Sequence, residues 1–448
     1  MKLSSTKGTI EPKDKLIGLI KEFFDVKFIS ETARLTKFVQ RKSKLDGIFF
    51  FLCVFTARKD GTTSLDDLCR ELLKDGIEIR KQSLQSRFNE AATFFMRAMV
   101  EHALSKKLGL DREKIECKFG RVVIDDSTVF QLPEEYCDTY RGSGGGASSA
   151  AIKNQYCYDL LSQEIIDIAV QEGTVPDCKY PLQDLRKNDL RIEDLGYFRI
   201  DRFRLIQQGG AYYLSRLKFG INIYVLEKEK YKQLDLLKVI GKMQVGEIKS
   251  ICVYLGEKEK YQTKLVLEKV PKQVANEKRR KLKTDKQNKR KSMSKDRLIF
   301  CDVNAFVTNC TQEQLPDHLL RQCYQLRWQI EIIFKAWKSF FKIDKVKQMK
   351  IERFECFHYG CLMWIVASTH LLRYFKYWYL QKHKKEISEL KFFKLIASIK
   401  QEIKEVIKSD QFHVSGFLDQ MEGLIERTCT KEQKKNRLTP LKILAKIP

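Results

Sequence analysis

With 448 residues, the chain is long enough for about two to four domains, and its 43% of hydrophobic residues is ordinary for a globular protein. Its 84 Lys and Arg outnumber its 58 Asp and Glu, and the formal charge of +26 favours an anionic partner, nucleic acid before an acidic membrane surface. Thirteen scattered cysteines without a CxxC pair and only six histidines argue against a disulfide scaffold, a zinc ribbon and a histidine-based metal site.

The same composition indicates a cytoplasmic protein. The start of the chain, MKLSSTKGTI, lacks the apolar segment of a signal peptide. The most apolar stretch, CLMWIVASTHLL at residues 361–372, is too short to span a bilayer and predicts a buried helix. We therefore expect reduced thiols and no membrane partner.

Residues 1–115 are predicted to be helical, because apolar residues recur at helical spacing in LIGLIKEFFDVKFI and FNEAATFFMRAMVEHAL. Between them, SLDDLCRELLKDGIEIRKQSLQSRFNEA predicts two helices joined by a turn at Asp75-Gly76, with Ser64 capping the first. The second helix carries four side chains that can contact bases and phosphates: Lys81, Gln82, Gln85 and Arg87. The pattern fits a DNA-reading helix-turn-helix and an ordinary helical hairpin equally well.

From about residue 119 the sequence predicts strands. FGRVVIDDSTVFQLP is a β-rich run, NQYCYDLL and QEIIDIAVQEG are predicted to pair, DLRIEDLGYF is a strand meeting a turn, and AYYLSRLKFGINIYVL continues as strand. The loop RGSGGGASSAA at residues 141–151 lacks the Gly-Lys-Ser/Thr of a phosphate-binding loop. Residues 116–220 are therefore predicted to form a mixed α/β sheet.

Residues 221–300 combine strands with an unusually basic segment. ICVYLG and TKLVLEKV predict strands, and residues 272–297 then carry twelve basic and three acidic side chains, a local charge of +9. Such a run favours contact with a phosphate backbone over a merely solvated helix or loop. LIFCDVNAFVTN returns to strand at residues 298–309. Residues 301–375 are predicted to continue the α/β core, followed by a helical, basic tail at 376–448.

One predicted helix, QLPDHLLRQCYQLRWQIEIIFKAWKSFF, carries a polar stripe on an apolar segment. The stripe residues, at offsets 0, 3, 7 and 14, fall within about 60° of arc and are Tyr324, Arg327, Glu331 and Lys338. A carboxylate between cations suits an anionic ligand and a metal. The apolar side chains that would bury the helix are Ile330, Ile333, Phe334 and Trp337. The alternative for the stripe is an exposed face with weak intrahelical ion pairs.

Three carboxylates in different elements can converge on one site. Asp126 follows the apolar run VVI where a strand is predicted to meet a turn, Asp194 follows DLRIE at another strand end, and Glu331 lies on the stripe. Such a cluster suits two Mg²⁺ ions, which prefer oxygen ligands and can activate one oxygen while stabilising another.

These residues resemble those of a known family. The spacing Tyr-x2-Arg-x3-Glu-x6-Lys from Tyr324 to Lys338 resembles the signature of the insertion-sequence-four group of DDE transposases, which are bacterial cut-and-paste enzymes. DDSTVFQLP is similar to the segment with the first catalytic Asp of that group, in a register that selects Asp126 over Asp125, and DLGYF is similar to the segment with the second, here Asp194.

The resemblance implies an RNase H-like catalytic core interrupted by a mostly β insertion domain at residues 221–300. It further implies Asp126, Asp194 and Glu331 as metal ligands for two Mg²⁺ ions, with Mn²⁺ able to substitute. Four residues would contact DNA: Tyr324, Arg327, Lys338 and Arg216. Some members of the group have a Trp that stacks on a flipped base where this chain has Asn304, with Phe306 nearby but out of register.

We therefore predict a transposase that binds double-stranded DNA at transposon ends and target, cleaves it and joins the 3′-hydroxyl ends, as a homodimer in the paired-end complex and in the bacterial nucleoid. A metal-dependent nuclease or resolvase on the same core would cut DNA without joining ends. An inactive DNA-binding repressor would need no carboxylate cluster, since three acids without metal would repel DNA.

Overall fold

The computed structural model describes residues 11–57, 62–110, 117–288, 294–407, 411–432 and 440–447. Within these ranges the chain forms one large mixed sheet, with helical regions preceding and following it. The predicted mixed α/β class with helical terminal regions is thereby confirmed.

Six helices form the N-terminal region: α1 (Pro12–Phe23), α2 (Val26–Leu35), α3 (Gly47–Thr56), α4 (Leu65–Lys74), α5 (Lys81–Arg87) and α6 (Glu90–Ser105). Four of them begin at a polar side chain that accepts a hydrogen bond from the first helical turn. As predicted, Ser64 starts α4, where it forms a capping box with Asp67. The predicted pair of helices around Asp75-Gly76 is α4 and α5.

In helix α5, the possible DNA-reading helix, side chains of the second half form hydrogen bonds with other parts of the protein. Arg87 donates to the carbonyl oxygens of Phe38 and Leu45 at 3.3 and 3.4 Å and lies over the Phe38 ring. Gln85 accepts a hydrogen bond from Arg353 at 3.1 Å. A DNA-reading role for this helix, which stays a prediction, would therefore depend on its exposed first half.

Ten strands follow: β1 (Arg121–Gln131), β2 (Ala151–Asp159), β3 (Glu164–Glu172), β4 (Asp189–Glu193), β5 (Tyr212–Arg216), β6 (Ile223–Glu227), β7 (Lys230–Gln233), β8 (Ile248–Leu255), β9 (Tyr261–Lys269) and β10 (Val303–Thr308). They form one sheet in the order β3-β2-β1-β4-β5-β10-β9-β8-β6-β7. β1, β4 and β5 run parallel, and the other pairs are antiparallel. The predicted pairing of NQYCYDLL with QEIIDIAVQEG is the β2–β3 pair.

Strand β1 is longer than the sequence suggests. The prediction that Asp126 lies where the strand meets a turn is wrong, because pairing with β2 continues the strand to Gln131. Asp194 does follow the end of β4, at the start of the 3-10 turn Leu195–Tyr197. The parallel register places Asp125 beside Glu193, so the next residues, Asp126 and Asp194, adjoin at one level of the sheet.

The strands of residues 221–300 extend this same sheet, because β10 pairs with β5 on one side and with β9 on the other. AYYLSRLKFGINIYVL divides into β5 and β6. The hydrophobic cluster that covers this half of the sheet draws on β5 and α7 (Ile200–Gln208) as well as on β6, β8, β9, β10 and α8 (Leu236–Lys242). The residues of the predicted insertion therefore share a core with the elements before them.

The basic run forms α9 (Lys272–Asn288) and the first half of α10 (Lys295–Phe300), and residues 289–293 of it lie outside the described residues. The prediction of strand for LIF at 298–300 is wrong. Ser294 accepts a hydrogen bond from the Arg297 amide at 3.3 Å and starts a helix there, and strand β10 begins only at Val303.

The prediction of a single long helix at residues 314–341 is also wrong. A 3-10 turn, Asp317–Leu319, leads into α11 (Leu320–Gln325), and α12 (Trp328–Ser339) follows. Between the two helices, four amides bond to the carbonyl three residues earlier: Leu326, Arg327, Gln329 and Ile330. The path thus remains helical but tightens at Arg327, which separates Tyr324 from the helix that carries Glu331 and Lys338.

The remaining chain is helical: α13 (Ile351–His383), α14 (Glu389–Ser398), α15 (Lys400–Ile407), α16 (Gln411–Thr428) and α17 (Pro440–Leu444). CLMWIVASTHLL lies within α13 and is buried almost throughout, as predicted. None of the helices in the described ranges combines the length and the apolar character that a membrane span requires.

Candidate active site

Three carboxylates from separate parts of the chain converge on the guanidinium of Arg327. Nη1 of Arg327 lies 2.7 Å from Oδ2 of Asp126, and Nη2 lies 2.8 Å from Oε1 of Glu331. Nε lies 3.8 Å from Oδ1 of Asp194, an ion-pair distance without a hydrogen bond. β1, the end of β4 and α12 thus bring the three predicted acids together, and the junction of α11 and α12 places one cation among them.

The environment of Asp126 makes its negative charge costly. Its side chain is only 17% exposed, and burial raises its pKa from 3.8 to about 6 although Arg327 and the backbone amide of Ser127 favour the ionised form. The carboxylates of Asp194 and Glu331, at 45% and 47% exposure, add repulsion. Of the three acids, Asp126 therefore gains most from an additional cation.

Tyr324 faces the same group of acids. Its hydroxyl donates to Oδ1 of Asp194 at 3.3 Å, and burial followed by the charge of Asp194 raises its pKa. Its ring packs against Phe306 of β10 at 5.6 Å between ring centres. The tyrosine hydroxyl, predicted to contact DNA, here orients one of the acids.

The acids line an open cleft that two lysines, Lys335 and Lys338, also line. The lining residues are Asp126, Ser127, Thr128, Val129, Asp194, Arg327, Glu331, Phe334, Lys335, Lys338 and Ser339. Within the part of the chain that the structure describes, Lys338 has neither an ion-pair nor a hydrogen-bond partner. Ile330, Ile333, Phe334 and Trp337 are buried as predicted, so α12 presents its charged face to the cleft and its apolar face to the core.

The described residues contain no group of three His, Cys, Asp or Glu side chains already arranged around a point as metal ligands. The reason lies in the ion pairs above: the guanidinium of Arg327 stands among the three carboxylates. All three groups are nevertheless oxygen donors of the kind that Mg²⁺ and Mn²⁺ bind. The donor atoms therefore fit such ions, provided that the Arg327 side chain moves away from the three carboxylates.

A second basic surface adjoins the cleft. Arg216, exposed at the end of β5, lies opposite Phe306 in the sheet. Lys278 of α9 donates to Asn304 at 2.6 Å, and burial followed by the charge of Arg216 lowers its pKa to about 8. Arg279 is paired with Asp302. Part of the basic run therefore attaches α9 to the sheet, and Arg280, Lys281 and Lys283 remain exposed.

Comparison with known proteins shows the family. A model of the transposase DDE domain matches residues 118–366. The chain is 32% identical over 449 residues to the transposase for insertion sequence element IS1151 of Clostridium perfringens, covering 95% of this chain and 94% of that one. It is 30% identical over 450 residues to the transposase for element IS231F of Bacillus thuringiensis subsp. israelensis, covering 96% and 94%.

The chain is a DDE transposase. As such it is an enzyme that acts on DNA, of the kind that the resemblance to the insertion-sequence-four group predicted. Among solved structures, it matches the cryo-EM structure of the piggyBac transposase synaptic complex with hairpin DNA, at 12% identity and a TM-score of 0.45, covering 95% of this chain and 87% of that one.

Two features next to residues of the cleft have no counterpart in the sequence prediction. Trp328, directly after Arg327, is 54% exposed, and only its position beside the stripe could have drawn attention to it. Asp177 accepts hydrogen bonds from Ser127 and Lys153, both at 2.8 Å. A Cβ on Gly196 would lie 2.9 Å from the Asp177 carboxylate, so a larger residue there would displace that carboxylate. No sequence signal links residues so far apart.

The two adjacent aspartates of β1 face different surroundings. Asp125 is fully buried and pairs with Arg191 and Arg202 at 3.0 and 3.1 Å, whereas Asp126 opens into the cleft. Asn304, the position to which the resemblance assigned a stacking Trp in some members of the group, is held by Lys278 and by Glu268 at 2.8 Å. Phe306 is buried at 4% exposure, so neither side chain is presented to a base.

Proposed function

We propose that Asp126, Asp194 and Glu331 form the catalytic centre with which this transposase cleaves the ends of an insertion sequence and joins the 3′-hydroxyl ends to target DNA in a cut-and-paste reaction. The observation that carries the proposal is the convergence of the three carboxylates, from strand β1, the turn after β4 and helix α12, around Arg327 in one cleft. Their order along the chain and the spacing from Tyr324 to Lys338 support the assignment to the insertion-sequence-four signature.

The cleft would hold two Mg²⁺ ions, for which Mn²⁺ can substitute, through Asp126, Asp194 and Glu331. Three ionised carboxylates and one guanidinium leave a formal charge of −2, which favours divalent cations with oxygen ligands. When bound, such ions activate an attacking oxygen and stabilise a leaving one during phosphoryl transfer.

The cations around the cleft would bind the DNA backbone. Arg327, released from the carboxylates, would donate two parallel hydrogen bonds to a phosphate. Lys338, which has no ionic partner among the described residues, would act as a point charge on the other side of the scissile phosphate. Arg216 extends this surface toward α9, and the Tyr324 hydroxyl would contact the backbone after leaving Asp194.

Other parts of the chain would bind and align the transposon ends. Residues 1–115 would form a helical DNA-binding region, and residues 221–300 an insertion domain in the RNase H-like core (116–220 and 301–375) whose exposed basic side chains on α9 follow the duplex. The helical tail would span 376–448. Because a paired-end complex contains two ends, we propose a homodimer there, at the bacterial nucleoid.

The decisive experiment incubates the purified transposase with duplexes that carry the ends of its own element, with Mg²⁺, and resolves the strands on a denaturing gel. We expect cleaved and joined strands from the wild type and neither from Asp126→Asn, Asp194→Asn or Glu331→Gln, all of which should still bind the ends. Cleavage without joining would indicate a nuclease or resolvase instead, and binding without cleavage a repressor. Normal cleavage by Asp126→Asn would refute the proposed centre.

A further inference from the structure

A second group of charges, unused by the proposed chemistry, lies behind the catalytic acids. Asp125 and Glu193 directly precede Asp126 and Asp194, and successive side chains of a strand face opposite sides of the sheet. The exposures of Asp125 and Glu193 are 0% and 1%. The sheet therefore carries one pair of acids in the cleft and another pair, sealed from solvent, on its reverse side.

One arginine joins the two buried acids. Nε of Arg202, on α7, donates to Oε1 of Glu193 at 2.7 Å, and Nη2 donates to Oδ2 of Asp125 at 3.1 Å. Nη1 donates to the carbonyl oxygen of Tyr180 at 2.7 Å. Arg191 donates to the same Asp125 oxygen at 3.0 Å, so the four charges balance and the Arg202 guanidinium connects β1 with β4.

The connection is made at the last rung of the parallel ladder. The β1–β4 register runs from Arg121 beside Asp189 to Asp125 beside Glu193 and ends there. Asp194 already belongs to the following turn. No hydrogen bonds of the β1–β4 ladder hold Asp126 and Asp194 together. Their relative position therefore depends on the last pair of the ladder, Asp125 and Glu193, which Arg202 bridges on the reverse side of the sheet.

We infer that Arg202 is a positioning residue, which fixes the relative position of Asp126 and Asp194 by bridging the buried carboxylates of Asp125 and Glu193. The inference rests on the proposed catalytic centre. Without the bridge, two buried carboxylates on adjacent strands lose a shared cation, and the rung of β1 and β4 that directly precedes Asp126 and Asp194 loses its anchor. Divalent-metal binding and strand cleavage then weaken, whereas the helical N-terminal region is unaffected.

The other end of the same ladder offers a matched control. Nε and Nη2 of Arg121 donate to the two carboxylate oxygens of Asp189 at 2.9 and 2.6 Å. This pair is also buried, at 6% and 1% exposure, and also joins β1 to β4. It has the chemistry of the Arg202 bridge but lies at the opposite end of the ladder from the acids.

The test compares Arg202→Lys and the double variant Arg202→Met/Glu193→Gln with Arg121→Lys in the full-length protein. For each we would measure the urea midpoint, the Mn²⁺ dissociation constant by calorimetry without DNA, end binding and cleavage. Lysine keeps the charge but lacks the planar fork, whose three nitrogens reach Glu193, Asp125 and the Tyr180 carbonyl oxygen in fixed directions. The double variant removes the uncompensated acid, so it folds even where Arg202→Met alone does not.

We expect both Arg202 variants to weaken Mn²⁺ binding and cleavage by about 10–100-fold, the range typical of residues that orient metal ligands, with end binding preserved. Arg121→Lys should stay within about twofold of wild type at a comparable loss of stability. Wild-type Mn²⁺ affinity in Arg202→Lys, or losses of affinity in all variants in proportion to their losses of stability, would overturn the inference. Asp126→Asn is measured alongside, because it must abolish cleavage if the proposed catalytic centre is right. A failure of the Arg202 inference can then be distinguished from a failure of the proposed centre.

Discussion

The two neighbouring aspartates of β1 should respond in opposite directions to the same substitution. Asp126→Asn should stabilise the metal-free protein at pH 8, and Asp125→Asn should destabilise it. Both changes replace one carboxylate oxygen by an amide nitrogen and keep the shape of the side chain. The difference lies in the surroundings, since Asp126 is buried with one arginine shared among three acids and Asp125 is buried between two arginines.

The magnitude for Asp126 follows from its pKa. Burial raises that pKa from 3.8 to about 6, and at 1.36 kcal/mol per pH unit the ionised form costs the folded protein roughly 3 kcal/mol. A raised pKa contributes stability that is fully present below pH 3.8 and is lost as the pH rises through 6. Asparagine does not ionise, so the gain of Asp126→Asn should be absent near pH 4 and reach roughly 3 kcal/mol above pH 7.

For Asp125 the sign is reversed. Although burial opposes its charge, Arg191 and then Arg202 hold its pKa below the ordinary value, so the stability from its ionised form is present at neutral pH and is lost in acid. Asp125→Asn leaves two buried arginines with only Glu193 as counter-charge. Removing one partner of such a buried pair costs about 3–5 kcal/mol.

Urea denaturation followed by tryptophan fluorescence, in EDTA between pH 4 and 8, measures both free energies of unfolding. Adding Mg²⁺ should stabilise the wild type, as any ligand of the folded state does, and should have little effect on Asp126→Asn. If Asp126→Asn were destabilising at pH 8, or equally stabilising at pH 4 and 8, burial could not be the cause of the raised Asp126 pKa, and the electrostatic reasoning would be refuted.

Further outcomes concern the cations and the core beside the cleft. Arg327→Lys should restore little of the cleavage that Arg327→Ala loses, since a point charge cannot reproduce a bidentate phosphate contact; recovery to near the wild-type single-turnover rate would contradict this role. Lys338→Ala should slow cleavage without lowering the melting temperature, and Lys338→Arg should be milder. Trp337→Ala, in contrast, removes a fully buried ring and should cost about 3–5 kcal/mol of stability; urea denaturation checks this, and a loss below about 1 kcal/mol would be inconsistent with the burial. Replacing Arg280 and Lys281, exposed on α9, by Ala should reduce the slope of log K against log salt by about 0.9 for each phosphate that the variant no longer neutralises, and an unchanged slope would leave these two side chains as solvated surface.

Local patterns sufficed for much of the fold. Short strand-like segments predicted β2, β3, β8 and β9, helical spacing predicted the N-terminal helices, and the N-cap at Ser64 is where the sequence places it. The strand predicted at 298–300 failed for a local reason, the cap at Ser294, but two other errors fall where a distant partner decides. β1 continues past Asp126 because β2 lies beside it. The stripe helix is interrupted at Arg327, whose side chain pairs with one acid on β1 and another in the turn after β4.

The sequence by itself determined the family, the order of the three acids and the apolar face that buries α12, because these depend on residue types and on spacing along the chain. Only the tertiary structure decided that Arg327 stands among all three carboxylates, that Asp125 and Asp126 serve opposite sides of the sheet, and that the strands of residues 221–300 join the catalytic sheet. Each of these depends on which strands lie side by side, and on the balance of burial and ion pairing between residues up to about 200 positions apart, which no local period in the sequence encodes.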